Sequence, residues 1–171
     1  AGGWGFPIGD QMSGAILGRE LVRRTIEAED GILEGSPLTK AVLARLGGTV
    51  DMIMDWAFPK DPRGPLPADD KGPSTLLGRA PAEYGALVPM FFEFFEKGDA
   101  VARELMELEL GEVDKYVAWF KARGVDKMAV VGGFGTRLYP LMEARYGAFL
   151  VPPKHEPLHG AVILAQQNFP N

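Results

Sequence analysis

The sequence predicts an α/β fold that is rich in helices and poor in strands. Apolar residues recur at helical spacing in several segments from Ser13 onward. Only residues 127–131 and 149–151 have the short apolar pattern of a buried strand. Two short strands do not make a stable sheet by themselves. We therefore expect partner strands from polypeptide outside these 171 residues.

The first half of the chain is predicted to begin with a glycine-rich loop followed by three helices. The first helix starts after Ser13 or Asp10 as its cap and ends at Gly31. Ser36, followed by Pro37, is typical of a second helix start, and that helix extends to Leu46. A third helix covers residues 50–57, and an irregular surface loop follows from Phe58 to Gly78.

The second half is predicted to contain four more helices and the two strands. One helix covers residues 81–95, and Asp99 caps the longest helix, residues 100–123. The strand at 127–131 precedes a helix at 136–145, and the strand at 149–151 precedes a last helix at 158–167.

Composition and charge exclude several classes of function. The net charge of −5 gives no attraction to phosphate backbones or anionic lipid, so we expect neither a nucleic-acid partner nor a membrane partner. Without cysteine the chain has no disulfide, thiolate nucleophile or iron–sulfur ligand of its own. Its two histidines, His155 and His159, are too few for a metal site, and we predict no metal-binding residue.

The opening segment, residues 2–13, is the first candidate binding site. Its glycines allow close backbone approach to a ligand. The Trp4 ring could pack on a sugar, while the Asp10 carboxylate accepts hydrogen bonds from hydroxyl groups. On spacing alone, the favoured interpretation is simpler: Trp4 belongs to the core and Asp10 caps a helix.

A second candidate site is the glycine pair Gly132-Gly133, with Phe134, between a predicted strand and a helix. Such a junction can bring backbone close to a nucleotide. A bare glycine pair is also common in ordinary turns.

Taken together, these segments resemble the carboxy-terminal half of the N-acetylglucosamine and glucosamine kinases, members of the BadF/BadG-type ATPases. The resemblance rests on the order and spacing of short motifs over nearly the full length. They are Gly2-Gly3-Trp4-Gly5-Phe6-Pro7-Ile8-Gly9-Asp10, Ser36-Pro37-Leu38-Thr39, Ala80-Pro81-Ala82-Glu83-Tyr84, Gly98-Asp99, Val131-Gly132-Gly133, and Pro152-Pro153 with Leu158, Gly160 and Ala161.

The resemblance implies an actin-like (ribonuclease H-like) sugar-kinase fold, of which residues 1–171 form part of the carboxy-terminal domain. It implies ATP and Mg²⁺ as cofactors and phosphorylation of an amino sugar at its 6-hydroxyl. Trp4 and Asp10 match residues that contact the sugar, and Gly132 and Gly133, with Phe134 beside them, match the adenosine site. A cytoplasmic homodimer is expected.

The resemblance is incomplete at the centre of the chemistry. No phosphate loop of the type Asp-x-Gly-Gly-Thr or Gly-Thr-Gly-Ser occurs, and no residue is assigned as the catalytic base, so we expect these residues alone to be inactive. Gln11 and Met12 also replace the glutamate and glycine usual in the family. Alternatives are a weakened sugar-binding or regulatory relative, a dehydratase-activating ATPase, which the lack of cysteine disfavours, and a helical interaction domain.

Overall fold

The computed structural model describes residues 2–6, 8–58 and 79–169. The chain divides into two compact units, Ala1–Glu112 and Val113–Asn171. The loop predicted between Phe58 and Gly78 lies outside the described residues, apart from Phe58. None of the helices in the described ranges combines the length and the apolar character needed to span a bilayer.

Eight α-helices and one short 3-10 helix account for the regular structure of the described residues. They are α1 (Gly14–Glu29), α2 (Pro37–Arg45), α3 (Val50–Ala57), α4 (Pro81–Gly85), α5 (Val88–Glu96), α6 (Ala100–Lys121), α7 (Gly133–Tyr146), the 3-10 helix Gly147–Phe149, and α8 (Pro157–Asn168).

Most predicted helix starts are confirmed, and the caps explain why. Ser13, not Asp10, caps α1 by accepting a hydrogen bond from the Ile16 N–H at 3.2 Å. At α2, Ser36 and Thr39 form a reciprocal capping box. These polar side chains satisfy backbone donors that the first turn of a helix leaves unpaired.

The helix predicted over residues 81–95 is two helices, α4 and α5. Pro89 lies in the first turn of α5. A proline has no N–H to donate to the carbonyl four residues earlier, so the chain breaks at Ala86 and Leu87 and restarts.

In the first unit, α1 packs against α2 and α4. A Cβ built on Gly18 of α1 would lie only 2.0 Å from the Tyr84 carbonyl oxygen of α4. Because only glycine allows this approach, the two helix backbones come into direct contact. The apolar core beneath them includes Leu17, Leu21, Leu38, Ile53, Leu87 and Phe91.

Asp99 joins the starts of two helices. Its Oδ1 accepts a hydrogen bond from the Ala102 N–H of α6, as predicted, and its Oδ2 accepts one from the Leu38 N–H of α2, each at 3.0 Å. The carboxylate is buried. One side chain therefore satisfies donors at two helix N-termini, where a negative charge is stabilising.

Glu109 occupies a core position of α6. Buried apolar residues lie on the same side of this helix: Val101, Ala102, Leu105, Met106 and Leu110. The Glu109 Oε2 atom is buried and has no hydrogen-bond partner among the described residues. Burial, with smaller contributions from the carboxylates of Glu112 and Glu20, raises the pKa of Glu109 to about 7.

In the second unit, the prediction of two strands is wrong. The described residues form only an isolated parallel bridge between Met128 and Leu150, with Met128 N–H donating to Phe149 O at 2.8 Å. Val131 is 48% exposed and not buried as a strand residue would be. Two short segments alone cannot extend a ladder, because a stable sheet needs further strands.

Helix α7 is held to the last part of α6 by polar contacts within the second unit. The Tyr146 hydroxyl donates to Asp114 Oδ1 at 2.7 Å, and Arg145 Nε donates to the same oxygen at 3.1 Å. These hydrogen bonds lower the pKa of the Asp114 carboxyl, and the one from Tyr146 has the largest effect.

Helix α8 has no buried residue. Exposed apolar side chains occur on it at Leu158, Val162, Ile163 and Leu164. The run Ala161–Ala165 is continuous in apolar residues and therefore covers all sides of the helix. A helix that is apolar all round is typical of the interior of a larger protein.

The Glu109→Gln variant is predicted to change how stability depends on pH. A carboxyl whose pKa rises from 4.5 unfolded to about 7 folded binds its proton more tightly in the folded state. The Glu109 carboxyl therefore contributes fully to the free energy of unfolding below pH 4.5, and this contribution is lost as the pH rises to 7. We expect the variant to gain on the order of 3 kcal/mol over the parent between pH 5 and pH 8.

Urea unfolding at the two pH values measures this gain, with Glu96→Gln, at an exposed glutamate, as the control. An equal effect of Glu109→Gln at both pH values would show that the carboxyl does not retain its proton in the folded state.

Candidate functional site

The glycine-rich loop, residues 2–12, is closed by hydrogen bonds centred on Gly5. The Gly5 carbonyl accepts hydrogen bonds from the N–H groups of Ile8 at 3.2 Å and Gly9 at 2.7 Å. The Gly5 N–H in turn donates to Asp10 Oδ1 at 3.2 Å. Gly9 packs on the backbone of Trp4, since a Cβ there would lie 3.0 Å from the Trp4 nitrogen. The loop thus returns on itself tightly and leads directly into α1.

The loop presents Trp4 to solvent. Its side chain is 79% exposed, and the neighbouring Ile8 is 81% exposed. The simpler interpretation, that Trp4 is a core residue, is therefore wrong. An exposed indole on a hydrogen-bonded loop provides a flat apolar face of the kind that packs on a sugar ring.

Asp10 is a member of the loop rather than a helix cap. Its contact with Gly5 uses one of about four acceptor positions that a carboxylate offers. The side chain is partly exposed. Asp10 therefore both closes the loop and keeps acceptor capacity for hydroxyl donors of a ligand.

Two non-glycine residues of the loop adopt left-handed backbone conformations. Asp10 has φ 59° and Met12 has φ 62°. Aspartate tolerates this region because its short side chain hydrogen-bonds locally, whereas methionine gains nothing there. Met12 thus occupies a position that favours glycine, as the departure from the family pattern indicated.

A layered aromatic contact fixes the inner side of the loop. The Phe6 ring stacks on Tyr84 of α4 with 5.4 Å between centroids and 30° between planes. The Arg19 guanidinium of α1 lies 5.4 Å from the centroid of the Phe6 ring. Trp56 of α3 meets the Tyr84 ring edge-on at 5.1 Å, and Arg79 covers Trp56 at 5.5 Å. We call these five residues the aromatic stack.

Sequence reasoning missed the aromatic stack as a unit. Phe6 and Tyr84 both belong to motifs of the family resemblance, and that was the one signal available. Neither periodicity nor spacing relates two rings that are 78 positions apart in the sequence. Only the packing of α4 on α1 brings them together.

Gly132, Gly133 and Phe134 form the start of α7, in the second unit. Gly132 is the N-cap residue with φ 90°, and the helix begins at Gly133 rather than at the predicted Thr136. The Gly132 carbonyl accepts both the N–H and the hydroxyl of Thr136 at 2.9 Å. Apart from the adjoining residues and the backbone of the helix itself, no described atom lies within 4 Å of a Cβ built on Gly132 or Gly133. The backbone there is therefore open to close approach.

The structure places the two candidate sites in different compact units. Trp4 and Asp10 belong to the first unit, and Gly132 to Phe134 belong to the second. Within the described ranges, no group of three or more His, Cys, Asp or Glu side chains is arranged to hold a metal ion.

Known proteins similar to this chain are amino-sugar kinases. Glucosamine kinase GspK of Vibrio cholerae is 26% identical over 164 residues, which cover 96% of this chain and 49% of that protein. N-acetyl-D-glucosamine kinase of Dictyostelium discoideum is 21% identical over 182 residues, covering 96% of this chain and 51% of that protein. No protein-family model matches the chain.

A solved structure supports the same relationship. The crystal structure of a candidate N-acetylglucosamine kinase from Chromobacterium violaceum superposes with a TM-score of 0.73 at 30% identity. The match covers 97% of this chain and 51% of the solved chain.

Replacing Met12 by glycine is predicted to stabilise the protein by about 1 kcal/mol, because it removes the cost of a left-handed non-glycine residue. Urea unfolding of the variant and the parent measures the difference. The matched control is Gln11→Gly, at a residue outside the left-handed region, where added chain entropy should lower stability. Equal losses in both variants would contradict a strained Met12.

The resemblance predicted from the sequence is thus confirmed: the chain is similar to glucosamine and N-acetylglucosamine kinases over 96% of its own length, and it spans about half the length of these proteins.

Proposed function

We propose that this chain forms the carboxy-terminal part of an ATP-dependent kinase that phosphorylates glucosamine or N-acetylglucosamine at the 6-hydroxyl. Similarity to amino-sugar kinases over 96% of the chain supports the reaction class. The observation that carries the assignment of a site is the exposed Trp4 on a loop closed by Asp10.

On the sugar side, the Trp4 indole would pack on the apolar face of the ring. The Asp10 carboxylate would accept hydrogen bonds from sugar hydroxyls, and a charged acceptor makes these bonds stronger than neutral ones. Phosphoryl transfer depends mainly on positioning and charge stabilisation, so a loop that orients the acceptor sugar contributes directly to the rate.

On the nucleotide side, Gly132 and Gly133 would lie against the adenosine of ATP, with Phe134 beside them. The open space at both glycines supports this proposal. ATP would supply the phosphoryl group. We assign neither the catalytic base nor a magnesium ligand to this chain, because the sequence contains no phosphate loop of the type Asp-x-Gly-Gly-Thr or Gly-Thr-Gly-Ser.

The rest of the kinase would complete the second unit. The chain spans about half the length of its relatives. We propose that the remaining polypeptide covers α8 and extends the single bridge between Met128 and Leu150 into the sheet of an actin-like α/β fold. We further propose, from the resemblance, a cytoplasmic homodimer.

A second candidate function is sugar binding without turnover. The position of Met12 in a left-handed conformation that suits glycine, next to Gln11, favours it. Calorimetric binding of the sugar by the complete protein without ADP formation would establish this alternative and overturn kinase activity.

Trp4→Ala and Asp10→Ala in the complete protein are each predicted to raise the KM for the amino sugar about tenfold, because each loses a contact of 1–2 kcal/mol. A coupled assay of ADP formation measures the change. Ile8→Ala is the matched control, since Ile8 is on the same loop and equally exposed but has no assigned role. Unchanged sugar kinetics in both variants would remove the site.

Leu164→Asp on α8 is predicted to lower the free energy of unfolding of the complete protein by about 2 kcal/mol, because it places an unpaired charge under the covering polypeptide. Gln166→Asp on the same helix serves as the control and should change stability by less than about 0.5 kcal/mol. If Leu164→Asp has an equally small effect, α8 remains uncovered.

A further inference from the structure

The glycine-rich loop is closed by its own hydrogen bonds, but its backbone has little intrinsic rigidity. Gly2, Gly3 and Gly5 all have positive φ, and glycine loses more conformational freedom on ordering than any other residue. The hydrogen bonds around Gly5 close the loop on itself but do not attach it to the rest of the unit. Such a loop needs an external anchor to hold Trp4 and Asp10 in one geometry.

The aromatic stack provides that anchor. Phe6 lies two residues after Trp4 and four before Asp10, and its ring points to Tyr84 while Trp4 and Ile8 are exposed. Tyr84 is only 9% exposed. Its backbone is held against α1 at Gly18. The loop is therefore attached to α1 and α4 where the backbones of these two helices are in direct contact.

The outer members of the stack extend this support. Arg79 Nη1 donates to Glu83 Oε1 at 2.7 Å, one residue before Tyr84. The Arg79 side chain also donates a hydrogen bond to the Trp56 carbonyl. The backbone N–H of Arg79 donates to the Ala57 carbonyl at 3.1 Å. Trp56 is thereby held against Tyr84, so the ring that stacks on Phe6 is itself in contact with a second aromatic ring.

We propose that the aromatic stack is a positioning element for the amino sugar, in which Phe6 and Tyr84 hold the loop so that Trp4 and Asp10 meet the sugar together. This inference rests on the proposed function of the loop. Phe6, Tyr84 and Arg19 would act through Trp4 and Asp10 and would not touch the substrate.

The test uses the complete protein and compares Phe6→Leu, which keeps an apolar side chain but removes the ring, with Phe6→Tyr, which keeps the ring. Loss of one ring stack is expected to raise the KM for glucosamine or N-acetylglucosamine about fivefold. The KM for ATP and the melting temperature should change little, and Phe6→Tyr should behave as the parent. If the Phe6 ring had only a structural role, its loss would not raise the KM for the sugar selectively over the KM for ATP.

Arg19→Met is a second variant with little risk to folding, because the Arg19 side chain is 42% exposed. Removal of its guanidinium from the Phe6 ring should raise the sugar KM about twofold and leave the KM for ATP unchanged. If Phe6→Leu fails to fold, this variant decides the question.

The outcomes separate the inference from the function on which it rests. If Trp4→Ala raises the sugar KM but Phe6→Leu and Arg19→Met do not, the positioning role is overturned and the sugar site stands. If Phe6→Leu raises both KM values together with a fall in melting temperature, and Arg19→Met has no effect, the stack is structural only. If Trp4→Ala itself has no effect, the proposed site fails first.

Discussion

The close approach of α1 to α4 is the constraint on which the first unit depends. Gly18 has no side chain, and this allows the Tyr84 carbonyl to lie where a Cβ would otherwise be. Interiors are packed at near-crystalline density, so a contact of this kind determines where neighbouring groups can lie. Because the two backbones meet, the Tyr84 ring is placed where Phe6 can stack on it. The candidate sugar loop is therefore positioned by a residue that has no polar or charged group of its own.

Two buried acidic side chains differ in whether their oxygens are hydrogen-bonded. Asp99 is paired at both oxygens with helix N-termini, and a buried carboxylate with such partners holds α2 and α6 in register. Glu109 on α6 has a buried oxygen without a hydrogen-bond partner among the described residues, and its burial raises the pKa of its carboxyl to about 7. At the start of α6, Asp99 thus has both carboxylate oxygens hydrogen-bonded, whereas Glu109 within the helix leaves a buried carboxyl oxygen without a partner among the described residues.

The second unit differs from the first in how little of its apolar surface it buries. Helix α8 has no buried residue, and the extended segments around Met128 and Leu150 meet at a single bridge. Both features have the same physical origin, since an apolar helix and a strand pair each need a partner surface to be stable. The proposal that the rest of a kinase covers this surface accounts for both features together and agrees with a match to half of each relative.

The sequence by itself determined most of the helix starts and the family resemblance, and this resemblance singled out Trp4 and Asp10 as candidate residues. Caps such as Ser13 and Ser36 act within four residues, so local sequence is sufficient to predict them. The break between α4 and α5 and the absence of true strands at 127–131 and 149–151 were not predicted, because the first depends on one proline and the second on pairing with other strands. Only the tertiary structure decided that Trp4 is exposed, that Asp10 closes its own loop, and that Phe6 and Tyr84 stack. The Phe6–Tyr84 contact joins residues 78 positions apart, which only the packing of helices brings together, whereas the Asp10–Gly5 hydrogen bond depends on the conformation of the loop itself.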